Sequence, residues 1–136
     1  MSDDLMRVVS EAMPLSGTLG IEAKTVTAEE TVLTMQWRTE LCTAAGILHG
    51  GALMALADTA GAACAFAGLA ASQPGARTST IESNTHFFAA VRGGTVTATA
   101  RPIHSGRSTI VVQTDLRDES GRLVGQTTQT QAVLAG

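Results

Sequence analysis

The stretch that most limits what this chain can become is residues 51–71, "GALMALADTAGAACAFAGLAA". It is long enough for about six helical turns, and nearly every position is Ala, Gly or a larger apolar residue. A helix with no polar face must be covered on most sides, by protein or by lipid. Lipid suits it poorly. Ala and Gly insert weakly, no Lys or Arg closely flanks either end, and Asp58 near the middle would cost roughly 2.5–3.5 kcal/mol in a bilayer. Protein must therefore cover it. "SQPGAR" at 72–77 then stops the helix with Pro and Gly.

The rest of the chain supplies the cover. Residues 3–13 predict a short helix: Ser2 or Asp3 can cap it, and Pro14 follows its end. Two β-rich pieces, about 19–27 and 31–38, flank the turn "AEE". After the long helix, 78–90, 95–104, 109–117 and 122–134 all read as strands, separated by "RGG", "HSGR" and "DESG". Sequential strands with short turns make an antiparallel sheet. The expectation is one α+β domain over 1–136, an antiparallel sheet of about five to six strands wrapped around one helix at about 50–71. The polar alternation in 122–134 predicts a partly wet sheet surface.

Two features at the helix suggest chemistry. "HGG" at 49–51 stands where backbone N–H groups lack intrahelical partners and the helix dipole favours negative charge. Gly50 and Gly51 allow an oxygen to approach those groups, so the helix end could polarise a carbonyl; the plain alternative is chain entry into a buried helix. Asp58 is the second feature, an acid with no Lys or Arg at i±3 or i±4 and with Met54, Ala55, Gly61 and Ala62 as its helical neighbours. Burying such a group without partners is costly, which makes it a candidate functional acid, unless backbone or nearby hydroxyls satisfy it. Gly50 and Asp58 are eight residues apart, roughly 12 Å along a helix, yet an oxyanion donor and a base must both lie within about 3–3.5 Å of the reacting group. Two copies related by a two-fold axis resolve this, each site joining the Gly end of one helix to the Asp of the other.

With "GILHGGALMALAD" followed by an all-strand second half, the chain resembles the hot-dog fold acyl-CoA thioesterases. The nearest likeness is to the phenylacetate-pathway and 4-hydroxybenzoyl-CoA thioesterase branch, whose signature is HGG followed by a helical acid seven residues later. The resemblance covers roughly residues 15–134. It implies that the Gly50 N–H contacts the thioester carbonyl and that Asp58, from the partner subunit, is nucleophile or general base. It implies a homodimer with shared sites, assembling to a homotetramer, and an acyl-CoA or aryl-CoA substrate with no cofactor or metal. His49 matches the motif His, in a role more structural than chemical. Relatives carry Asn or Gln seven residues before the Gly; here that position is Thr43, whose hydroxyl is shorter than an amide and cannot replace both its functions. Thr80 aligns with a Ser or Thr that some relatives use near the acid. Asn84 and His86 share one strand face, and Ser83, Thr85 and Phe87 the other; one face is expected to line the acyl pocket.

Coenzyme A phosphates need cations and N–H groups, and the turn holding Gly106, Arg107 and Ser108 offers both, with Arg101 and His104 close by and Arg77 and Arg92 as weaker candidates. A net charge of −3 and 3% aromatic content argue against nucleic-acid binding. The N-terminal segment is acidic and has no signal-peptide pattern, and two cysteines without disulfide or metal spacing suit a cytoplasmic protein. Two rivals remain. A hot-dog dehydratase would carry a His-centred motif that is not found. A non-catalytic acyl-CoA-binding module would bind ligand without turnover, even with Asp58 replaced.

Overall fold

Small side chains decide how this chain packs. In the computed structural model, which describes residues 2–135, helix α3 runs over Gly50–Ser72 and lies against a six-stranded sheet. Leu53, Leu56, Ala57, Ala60, Cys64 and Leu69 of α3 are buried against Leu33, Met35, Val96, Ala98, Val112 and Leu116 of the sheet. Alanines on both sides let backbone approach backbone, and each fully buried Leu contributes about 1.5–3 kcal/mol. Helix α3 has the length and hydropathy of a membrane span, but more than half of that apolar stretch is buried inside this fold.

The strands are β1 Glu22–Val26, β2 Thr31–Gln36, β3 Arg77–Phe87, β4 Thr95–Ser105, β5 Thr109–Arg117 and β6 Leu123–Leu134. Every pairing is antiparallel, in the order β1-β2-β4-β5-β6-β3. The hot-dog expectation of one sheet around one central helix is met. One connection differs from the sequence reading. Strands β3 and β4 are not neighbours, because β2 and β5 occupy both edges of β4 and β3 pairs along its length with β6. Residues 88–94 are therefore a crossing and not a hairpin. Phe88 and Ala89 still donate to the Val124 carbonyl, and buried Val91 accepts from the Leu48 N–H beside the start of α3.

The N-terminus also departs from expectation. Helix α1 covers Ser2–Arg7 and continues as a π-helical turn, Val8–Ala12. Pro14 then opens a second helix, α2 Pro14–Leu19, instead of ending the first. Proline at the first helical position loses no hydrogen bond, since that N–H has no partner anyway. Gly20, at φ +72°, ends α2 in the left-handed conformation, which delays β1 to Glu22.

The sheet curls so that its two edges, β1 and β3, flank a strip of α3 that the sheet leaves uncovered. Met54, Asp58 and Phe66 are exposed along that strip. The edges differ in kind. Strand β1 is short and carries an exposed Glu22–Lys24 pair, a usual protection against edge pairing. Strand β3 is eleven residues long, bulged between Thr80 and Glu82, and has Ile81 62% exposed.

Candidate active site

The start of α3 is organised by His49. Its backbone is extended, and its Nδ1 accepts the Gly51 N–H at 2.8 Å, a side-chain N-cap. The His49 carbonyl accepts from Ala52 and Leu53 at 3.0 and 3.2 Å. The Gly50 N–H, by contrast, donates to no group among the described residues. A side chain at position 50 would place its Cβ 3.1 Å from Phe87 Cζ, so glycine there lets the Phe87 ring lie against the helix end. The loop before it is pinned by Trp37 Nε1 to the Gly46 carbonyl, 3.0 Å, and by the His49 N–H to the Leu41 carbonyl, 2.9 Å.

Two turns along α3, Asp58 is exposed in the single chain, so the expected buried, partnerless acid is corrected on both counts. Its partners come from the sheet and not from the helix. Gln129 Nε2 donates to Asp58 Oδ1 at 3.2 Å, and the Thr80 hydroxyl lies 3.2 Å from the same oxygen. Thr80 also lies 2.5 Å from Gln131 Oε1, which accepts from Gln129 Nε2 at 3.0 Å, while Gln131 Nε2 donates to Thr78 Oγ1. Gln129 and Gln131 are fully buried. Gln129 reaches Asp58 by passing over Gly61, where a Cβ would come 2.1 Å from Gln129 Oε1. That Oε1 has no hydrogen-bond partner among the described residues. The outcome is directional: Oδ1 of Asp58 is held, and Oδ2 accepts no hydrogen bond among the described residues. The Thr59 hydroxyl, a possible local partner, donates instead to the Ala55 carbonyl.

A helix end with a free N–H and a carboxylate held on one oxygen sit on the same hot-dog helix. Residues 45–125, which include both, match the sequence model described as the thioesterase superfamily. The chain belongs to that superfamily. ComA2 of Bacillus subtilis is 40% identical over 116 residues, 85% of this chain and 90% of that protein. A 1,4-dihydroxy-2-naphthoyl-CoA hydrolase of Listeria monocytogenes is 32% identical, covering 82% of this chain and 89% of the relative. A thioesterase structure from Haemophilus influenzae superposes with a TM-score of 0.89 at 30% identity, over 99% of this chain and 91% of that one.

In this thioesterase the remaining sequence candidates fall into three places. Thr43 is exposed in the loop before α3, its N–H donating to the Ile47 carbonyl and its hydroxyl in no hydrogen bond among the described residues. On β3, register with buried Thr127, Gln129 and Gln131 turns Thr80, Ser83, Thr85 and Phe87 toward α3. Asn84 and His86 lie on the opposite face, where the Asn84 amide donates to Glu82. The bulge at Ile81 is what brings Thr80 and Ser83, three residues apart, onto one face. Gly106, Arg107 and Ser108 form the β4–β5 turn, closed by the Gly106 N–H to the Thr109 carbonyl and tied to β6 through the Ser108 carbonyl and Val133. Arg107 is exposed with no ion pair among the described residues, whereas Arg101 pairs with Glu30. The turn borders a cavity with Gly68 and Ser72, toward the far end of α3 from Gly50. Among the described residues no three His, Cys, Asp or Glu side chains cluster as a metal site would require.

Sequence reasoning missed Gln129 and Gln131. The signal was in "QTTQTQ" at 126–131, a stretch with no apolar face. A strand between two others in a covered sheet must bury one of its faces, so β6 had to bury a polar one.

Proposed function

We propose that this thioesterase hydrolyses an acyl-CoA in a homodimer, each site joining Asp58 of one protomer to Gly50 of the other. The observation that carries the reading is the pairing of a free Gly50 N–H with a carboxylate that has one oxygen anchored and one open. In one chain these groups are about 12 Å apart along α3, too far to serve one carbonyl. The long outer edge of β3 supports the two-fold arrangement, since strand pairing across it would place two copies of α3 side by side. The likeness to the Listeria naphthoyl-CoA hydrolase supports a CoA thioester as substrate.

In this scheme the thioester oxygen accepts the Gly50 N–H, at the positive end of the α3 dipole, as the carbonyl carbon becomes tetrahedral. Asp58 Oδ2 acts in one of two ways. It takes a proton from water while the water oxygen attacks, or it attacks the carbon itself to give a mixed anhydride that water then opens. Either path expels CoA as thiolate, which is protonated on leaving. Gln129 holds Oδ1 throughout, with the Thr80 hydroxyl beside it.

The test is CoA release from a panel of acyl- and aryl-CoA thioesters, read with a thiol reagent. Asp58→Asn is expected to lower kcat by about 10²–10⁴-fold while the protein stays folded. Single turnover in oxygen-18 water separates the paths: label in the Asp58 carboxylate means direct attack. No CoA release by wild type from any member of the panel would reject hydrolysis in favour of an acyl-CoA-binding module.

A further inference from the structure

An apolar groove of about 340 Å³ opens beside Asp58, in the gap between the two sheet edges. Its floor is α3, through Ala62, Ala63 and Phe66, and Ala62 lies one turn from Asp58. Its roof is the N-terminal helical segment, through Leu5, Val8 and Val9. Val26 of β1 and Thr78 of β3 form the walls. Thr78 is also the far end of the hydrogen-bonded chain that runs through Gln131 and Gln129 to Asp58. The groove thus adjoins the residues that hold the carboxylate.

Its chemistry is restrictive. The lining holds only two hydroxyls: Thr59 donates its proton to the Ala55 carbonyl, and the Thr78 oxygen accepts from the Gln131 amide. Arg77 lines the rim and is itself exposed. A hydroxylated aromatic group would find little inside to satisfy its hydroxyls. The volume, at roughly 30 Å³ per water-sized group, has room for about eleven such groups.

We propose that this groove is the acyl pocket and that it takes an unbranched aliphatic chain of up to about ten carbons, not a hydroxylated aryl group. The proposal rests on the hydrolysis reading above. Chain length is set between two elements, Ala63 on the floor and Val8 on the roof. Enlarging either shortens the space without touching Asp58, Gln129 or Gly50.

The experiment measures kcat/KM for acetyl- through palmitoyl-CoA, benzoyl-CoA and 1,4-dihydroxy-2-naphthoyl-CoA, on wild type, Ala63→Leu and Val8→Phe. Wild type should prefer octanoyl- and decanoyl-CoA over the dihydroxynaphthoyl thioester by about tenfold or more. Both variants should lower the decanoyl-to-butyryl ratio by about tenfold. An aryl thioester that outruns every aliphatic one, or a ratio unmoved in both variants, overturns the pocket. Complete absence of turnover rejects hydrolysis alone, and the pocket is then judged by calorimetric titration with S-decyl-CoA, a non-hydrolysable thioether. Weaker binding in both variants upholds the pocket; equal binding in all three proteins overturns it.

Discussion

Gln129 turns its amide N–H to a carboxylate and leaves its own carbonyl buried without a partner among the described residues. An unsatisfied buried oxygen of this kind costs about 1–3 kcal/mol, and Gly61 is given up to make room for it. The return is orientation of Asp58. Gln129→Leu keeps much of the volume, removes the orphan oxygen and frees Asp58 Oδ1 to rotate. Stability should change by less than about 1.5 kcal/mol, while kcat falls about 10–100-fold at nearly constant KM. Steady-state kinetics alongside a urea melt checks both. Cys64 is the other buried group with a consequence. Burial pushes its thiol from 9.0 up to about 11, with Glu29 and Glu30 adding to the rise and a hydrogen bond with Thr31 opposing it. The unfolded thiol ionises first as pH rises, so the folded state loses stability from pH 9 toward about 11 and keeps it below 9. Urea midpoints across that range should fall more steeply for wild type than for Cys64→Ala. At this scale His49, Gly50 and Asp58 were legible, because their spacing is local. Gln129 and Gln131 were not, because Gln129 reaches Asp58 from a strand 71 residues away and Gln131 only backs it up from that same strand.

Elements were legible in proportion to how locally their ends are signalled. Strand β5, Thr109–Arg117, lies where turn residues bracket an alternating run, and α3 ends within a residue of the expected stop. Pro14 misled, since one residue type both ends and begins helices. The position of β3 was not legible at all. Its alternation indicates a strand, but only the occupancy of β4 by β2 and β5 sends it to the far edge. That edge carries the prediction at this scale. Ile81→Asp puts a charge on the exposed bulge, where two-fold pairing would set it near its own copy. Light scattering should show a monomer with wild-type circular dichroism, and CoA release should fall with the dimer fraction. A fully active monomer would overturn the shared site.

For the molecule as a whole, the curled sheet leaves one strip of α3 open, and the candidate site lies along that strip with the groove beside it. One fold therefore offers a rigid core on one side of its helix and a reactive side on the other. The eight-position separation of Gly50 and Asp58 adds a consequence in subunit genetics. In the proposed shared-site dimer, Asp58→Asn chains alone would have no reactive carboxylate, and Gly50→Val chains alone would have a blocked helix end. Unfolded together and refolded as a mixture, half of the dimers would be mixed, and each mixed dimer would hold one doubly damaged site and one intact site. Two inactive proteins should then complement each other to about a quarter of wild-type turnover, a recovery that sites confined to single chains could never give.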